Sequence, residues 1–274
     1  MLKRTLTGLI LGIIMIGSLW WNIYSAFVLI EIILLFSAIE WYQHFVQKNT
    51  ALIKTIYWFF ISLLFLLSCS LLYFQDEKLS HQHIEILGPF YIIWIFIFTL
   101  YTFESLKLST PYIDWYTGIL YIGIPLFLSA CLIVPIYEDG SKWLLAMIVM
   151  NWSNDVFAYF TGRLFGKNKL APDISPNKTW EGALGGLSAC MMAGFVLNEY
   201  LFPHKQVIIF VVIFSFLVWM SGILGDLFES KLKRSIHIKD SGQILPGHGG
   251  FMDRFDSYYF VIPVGVTIIY YFAT

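Results

Sequence analysis

The sequence predicts an all-α polytopic integral membrane protein of about nine transmembrane helices, with the N-terminus inside and the C-terminus outside. Three observations lead there. Apolar residues make up 58% of the 274 residues and charged residues only 13%, about half the charged share of a soluble domain. Apolar stretches long enough to cross a hydrocarbon core recur from one end of the chain to the other. The basic residues sort to one side of the alternation that those stretches define.

In chain order, the apolar stretches are 6–20, 23–41, 52–74, 84–103, 113–136, 143–162, 180–202, 207–228 and 251–272. In lipid each must satisfy its own backbone hydrogen bonds, so each reads as a helix. The first follows Met1-Leu2-Lys3-Arg4 and has the look of a secretory signal. No small-residue cleavage site follows it and further apolar segments come at once, so it reads as the first membrane helix. The second carries Glu31 and Glu40, the chief polar residues in the helices of the first hundred positions. Glu31, deep in that helix, reads as a hydrogen-bonding partner of a neighbouring helix.

The third through fifth stretches are apolar except near their ends, at Lys54, Glu85 and Asp114, whereas the sixth holds Asp155. With the N-terminus in the cytoplasm, Lys78, Lys142 and Lys205 fall outside and the other fourteen of the 17 basic residues fall inside. This is the asymmetry of the positive-inside rule. Cys69, Cys131 and Cys190 sit far apart in apolar runs and read as small core residues. No feature suggests nucleic acid as a partner.

The organisation divides into an N-terminal transmembrane region, 1–110, and a C-terminal transmembrane catalytic region, 111–274. The two longest inside loops, 163–179 and 229–250, are polar, rich in Gly and Pro, and both lie in the second region. Chemistry concentrates in such loops.

Three groups of residues carry it. At the inner end of the eighth stretch, Asp226, Glu229, Ser230 and Lys233 share one face if the helix continues past Phe228. Such a stripe holds a cation and a phosphate together, because hard cations take oxygen ligands while Lys and Arg offset phosphate charge. The plainer reading is a basic juxtamembrane stripe facing anionic lipid, and for Lys231 it is preferred.

Next come Lys239-Asp240, the glycines around His248, and Asp253-Arg254-x-Asp256 at the start of the ninth stretch. Gly247, Gly249 and Gly250 let backbone approach a bulky anion. Three carboxylates, Asp226, Asp253 and Asp256, converging at one surface argue for a cation. Acidic residues matching a helix macrodipole are the alternative.

Third, Asp155 stands within the sixth stretch, where an ionised group costs ~3 kcal/mol on insertion scales. Its partner is either an ion or one of Arg163 and Lys178. Ser175 before Pro176 reads as a helix start, placing Lys178, Thr179 and Glu181 at the cytosolic surface. Ser175, Lys178 and Thr179 are candidate phosphate contacts, and a capped helix with a snorkelling lysine explains them almost as well. His81 and His83, near Asp76, Glu77 and Glu85, read as a solvated outer loop.

The run Ser230-x-x-Lys233-Arg234-x4-Lys239-Asp240-x-Gly242-x2-Leu245-Pro246-Gly247-His248-Gly249-Gly250-x2-Asp253-Arg254-x-Asp256 resembles the signature of the phosphatidate cytidylyltransferases. Asp155-x-x-Ala158-Tyr159, Gly162-Arg163, Gly166-Lys167 and Ser175-Pro176-x-Lys178-Thr179-x-Glu181-Gly182 resemble the same family. The likeness covers about the second half of the chain.

It implies CTP and phosphatidic acid as substrates, CDP-diacylglycerol and pyrophosphate as products, and Mg²⁺ with room for a second cation. It also implies a cytosol-facing site in the cell membrane and a homodimer. On this reading Asp226 and Asp253, with Asp256 or Asp155, hold the metal. Lys233, Arg234, Lys239 and Arg254 meet the pyrophosphate or the lipid phosphate, and Ser175, Lys178, Thr179, Ser230, His248, Gly249 and Gly250 line the substrate site. A CTP-dependent kinase of a polyprenol or other lipid alcohol shares the nucleotide and membrane setting. An ion-coupled transporter also places carboxylates in helices, but near the midplane.

Overall fold

A computed structural model of the chain describes residues 2–74, 93, 115–133, 140–202, 206–242, 244–245 and 249–272. The predicted stretch 84–103 lies outside the described residues except for position 93, as do His81, His83 and His248.

Helix α1 (Leu2–Trp21) and α2 (Ile23–Trp41) are separated by Asn22 alone. The turn is that tight because Asn22 forms a capping box: its Oδ1 accepts from Ser25 N at 2.8 Å, and Asn22 N donates to Ser25 Oγ at 3.3 Å. Past Trp41, α2 continues as a π-helical turn, Tyr42–Val46. Helix α3 (Ala51–Phe74) follows, and Glu31 of α2 accepts a 2.6 Å hydrogen bond from Ser68 Oγ of α3. That is the helix-to-helix role expected of Glu31.

The fifth apolar stretch is built as α4 (Trp115–Gly118), a π turn (Ile119–Gly123) and α5 (Ile124–Ile133). Helix α5 is buried from Pro125 to Ile133 and packs against α2 and α3 as well as two helices of the C-terminal half.

The C-terminal half contains α6 (Gly140–Phe165), α7 (Trp180–Leu201), α8 (Ile208–Ser235), the short α9 (Met252–Phe255) and α10 (Tyr258–Phe272). Helices α6 and α7 pack along most of their length, and α8 lies against α7 and α10. Trp219 Nε1 of α8 donates to Ala183 O of α7 at 2.7 Å, and Tyr258 OH of α10 donates to Ile148 O of α6 at 3.2 Å. Large aliphatic and aromatic side chains stay exposed on the outward faces of α1, α3 and α7, which suits a lipid solvent.

Among the described residues, six helices are long and apolar enough to cross a membrane: Ile23–Val46, Ala51–Tyr73, Tyr116–Ile133, Trp180–Leu201, Ile208–Ser235 and Met252–Phe272. The chain is thus a polytopic helical membrane protein. Thr7–Trp21 is a shorter apolar helix. Helix α6 has 26 residues, enough length to span, but Asn151, Asn154, Asp155 and Arg163 make it polar.

The all-α class holds, and one local reading, the helix start at Ser175, needs correction. Residues Lys169–Ala171 and Ser175–Thr179 form a two-stranded antiparallel hairpin, β1 and β2, between α6 and α7. Ser175 therefore does not start a helix. Pro176 sits in a strand that has a partner on one side only, where a missing N–H is tolerated. The true cap is Thr179, whose Oγ1 accepts from Gly182 N at 3.1 Å. Glu181, in the first turn of α7, accepts from the backbone N–H groups of Lys167 and Asn168 at 3.1 and 3.2 Å and from Asn168 Nδ2 at 2.8 Å. It holds the hairpin on the helix end.

Candidate active site

Helix α8 runs past Phe228 to Ser235, as the polar stripe requires. Its members then divide. Asp226 is partly exposed, accepts from Ser230 Oγ at 3.2 Å and is ion-paired with Lys178 of β2. Glu229 is completely buried, and Lys233 Nζ lies 3.3 Å from its Oε1. The same Nζ is 2.6 Å from Asp253 Oδ1. Lys233 thereby joins the end of α8 to the start of the last helical segment.

The second group is organised around Asp253. Its Oδ2 accepts from Ser241 N and Gly250 N, both at 2.8 Å, while Oδ1 takes Lys233. A carboxylate offers about four acceptor sites, so one remains for a further ligand. Just before Gly250, Leu245 N donates to Gly249 O at 3.1 Å. Gly249 has φ 85°, and a Cβ there would stand 2.7 Å from Asp253 Oδ2. Only glycine fits that position.

Asp155 is reached by Asn154 Nδ2 at 3.2 Å and Asn151 Nδ2 at 3.5 Å. Asn151 stands one helical turn before it, so the helical period delivers that amide, while Asn154 is its chain neighbour. Of the two basic partners considered for Asp155, Arg163 donates to Tyr159 OH at 3.3 Å and Lys178 pairs with Asp226.

Two cavities meet at Asp155. The larger, ≈ 470 Å³, is lined by Asp155, Asp226, Asn177, Lys178, Thr179 and Arg163 among others. The smaller, ≈ 220 Å³, is lined by Asp155, Asp253, Arg254 and Asp256, with Gly8, Leu11 and Met15 of α1 along one side. The carboxylates of Asp155, Asp226 and Asp256 repel one another, and Lys178 partly offsets that repulsion.

The structure thus gathers Asp155, Asp226, Asp253, Asp256, Lys178, Thr179, Ser230, Lys233 and Arg254. Arg254 and Lys239 are exposed, and Arg234 is turned away to its own chain, donating to Ile238 O at 3.2 Å. Ser175 pairs with Ala171 in the hairpin. Lys239, Arg234 and Ser175 line neither cavity.

Sequence reasoning missed Glu40 and His44 of α2, which bond the backbone and side chain of the 241–252 segment. The signal was a second carboxylate, beside Glu31, in a helix of otherwise mostly apolar residues.

Among the described residues, no three His, Cys, Asp or Glu side chains are assembled around one point to hold a metal. That does not disfavour Mg²⁺, which is typically bound by one or two carboxylates plus substrate phosphates. Asp155 and Asp226, sharing the larger cavity, are hard oxygen donors of that kind, and the cation would relieve their repulsion.

Comparison with known proteins shows the family of the chain. The chain is 43% identical over 127 residues to a phosphatidate cytidylyltransferase of Staphylococcus epidermidis, covering 46% of this chain and 48% of that protein. It is 34% identical over 205 residues to the phosphatidate cytidylyltransferase of Bacillus subtilis, covering 73% and 72%. For the Rickettsia conorii protein of the same name the figures are 35% over 208 residues, 67% and 89%. The match thus spans about half the length of the staphylococcal relatives and more of the other two. The model of the Cytidylyltransferase family matches residues 2–272, taking in both the apolar N-terminal helices and the acidic cavities, and the chain belongs to that family.

Proposed function

We propose that the chain condenses CTP with phosphatidic acid to CDP-diacylglycerol and pyrophosphate, at the cytosolic face of a cell membrane. The observation that carries this is the meeting of two cavities at Asp155. One is edged by a polar hairpin and Lys178, the other by an apolar helix and Arg254. A nucleotide triphosphate and a lipid phosphate need two such neighbouring rooms.

In the reaction a phosphate oxygen of phosphatidic acid attacks the α-phosphorus of CTP. A new P–O–P link forms as the bond between the α-phosphorus and the bridging oxygen breaks, and that oxygen leaves with pyrophosphate. The attacking oxygen is already anionic near neutral pH, so the site needs no nucleophilic side chain. Its work is positioning and charge stabilisation.

Lys178 is placed to meet CTP phosphates once it exchanges its contact with Asp226. Thr179 and Asn177 line the same cavity. Arg254, exposed at the smaller cavity, is placed for the lipid phosphate. Lys233 fixes Asp253, and Ser230 fixes Asp226. Asp226 and Asp155, with Asp253 and Asp256 beyond, would hold Mg²⁺, which when bound neutralises phosphate charge and makes pyrophosphate a better leaving group. A second cation has the remaining acceptor site of Asp253 and the Asp256 carboxylate to use. The catalytic region proposed is 111–274, and the enzyme works as a homodimer, a state that detergent-corrected mass measurement checks.

The deciding assay is pyrophosphate release by purified protein supplied with CTP, phosphatidic acid and Mg²⁺. Product dependent on both substrates is expected. Formation of CDP with a phosphorylated lipid alcohol would replace this reading with a kinase.

The proposed topology has nine crossings. Single cysteines placed at 48, 169 and 239 are expected to resist an impermeant thiol reagent in intact cells, and those at 78 and 205 to react. This follows from the basic-residue asymmetry. Labelling at 239 from outside would overturn both the topology and the cytosolic site.

A further inference from the structure

Glu40 lies at the inner end of α2, about 200 residues from the glycine-rich segment, and is completely buried. Its carboxylate accepts three hydrogen bonds, all from that segment: Phe251 N at 2.7 Å, Met252 N at 2.9 Å and Ser241 Oγ at 2.8 Å. One turn further on, His44 Nε2 lies 2.6 Å from Ser241 O, a bond in which the ring donates. Ser241 is therefore held at all three of its polar groups, since its N–H goes to Asp253.

The amides of Gly250, Phe251 and Met252 are consecutive, and two carboxylates divide them. The first serves Asp253 and the next two serve Glu40. A Cβ on Gly242 or Gly250 would come within 2.5 Å of a Glu40 oxygen, so the segment closes on this carboxylate. One helical turn earlier the same face of α2 is tied to α10 by Tyr259 OH donating to Ser37 Oγ at 2.6 Å, and Phe36 stacks on Phe251 at 5.1 Å.

We infer that Glu40 is a positioning residue for the active site: from the N-terminal region, its carboxylate clamps Ser241, Phe251 and Met252 so that Asp253 stays fixed at the smaller cavity. The inference rests on reading that cavity as part of the cytidylyl-transfer site. The physical case is one of alternatives. A buried carboxylate loses its hydration, and apolar side chains would pack α2 against α10 at least as well. What an apolar residue could not do is accept three hydrogen bonds from a segment whose glycines have little side chain to pack. Without Glu40, the side-chain hydrogen bonds left to the described residues of that segment are those of Asp253 and His44, beside the packing of Phe251 and Met252. A displacement of about 1 Å at a reacting centre costs on the order of 10²-fold in rate.

The test uses full-length protein in detergent micelles, comparing Glu40→Gln, Glu40→Asp and Ser241→Ala with wild type. Two properties are read: amide hydrogen–deuterium exchange along the chain, and the Mg²⁺ concentration giving half-maximal CDP-diacylglycerol formation. In Glu40→Gln, exchange over 241–252 is expected to quicken about tenfold while α6 and α7 are unchanged. The half-saturating Mg²⁺ concentration should rise at least about fivefold, a shift that a smaller folded fraction does not produce. Glu40→Asp, which keeps the charge, should recover part of both effects, and Ser241→Ala should show a weaker form of them.

Wild-type exchange over 241–252 in Glu40→Gln would overturn the clamp, as would uniform acceleration along the whole chain. An unchanged Mg²⁺ requirement would overturn its positioning role. Should Glu40→Gln aggregate, Ser241→Ala, which removes one hydroxyl, carries the same decision. If wild type makes no CDP-diacylglycerol, the proposed function falls, and the exchange data alone decide whether Glu40 is the clamp.

Discussion

Asp226→Asn is expected to lower CDP-diacylglycerol formation by about 10²- to 10³-fold or more, the loss seen when one preorganised charge contact to a transition state is removed. Asn keeps the shape and loses the charge on which a hard cation depends. Folding should survive, because the ion pair of Asp226 with Lys178 is partly exposed, with side chains 32% and 27% accessible, and exposed pairs add little stability. Asp253→Asn should be comparably inactive but less stable, since it also weakens the bonds to Lys233, Ser241 and Gly250. Lys231→Gln, which lines neither cavity, should stay near wild type. Rates against Mg²⁺ concentration, with detergent gel filtration of each variant, make the comparison. Near-normal activity in well-folded Asp226→Asn would remove Asp226 from the metal site.

Lys233→Met should instead act on stability first. Among the described residues, Glu229 has no hydrogen-bond partner for either oxygen apart from its contact with Lys233, and it is completely buried. Removing the lysine leaves that carboxylate uncompensated, which costs about 3–5 kcal/mol, a fall in Tm on the order of 10 °C. In the double variant Glu229→Gln with Lys233→Met the charge is gone as well, and most of the lost stability should return. Activity should not, because Asp253 has still lost its lysine. Thermal unfolding in detergent followed by CDP-diacylglycerol assay separates the two effects. A single variant as stable as wild type would show that Glu229 is held neutral or finds another partner.

The membrane class, most of the helices and the family were determined by sequence alone, because they depend on local quantities. Apolar run length set the spans, and the helical period put Asn151 one turn from Asp155 and Ser230 one turn from Asp226. The spacing of glycines, carboxylates and basic residues from Ser230 to Asp256 carried the family. Local rules also misled at Ser175-Pro176, where the signs of a helix start were overridden by hairpin pairing with Lys169–Ala171, a nearby partner that helix-capping signals do not weigh.

Only the tertiary structure divided the polar stripe into a partly exposed Asp226 and a buried Glu229, for two residues three positions apart differ in burial according to what packs above them. It alone joined Lys178 to Asp226 and Lys233 to Asp253. It alone brought Glu40 to Phe251 and Met252 across 211 and 212 positions of sequence. A carboxylate in a mostly apolar helix shows only that it needs donors; which backbone amides satisfy it is decided by where the folded chain returns.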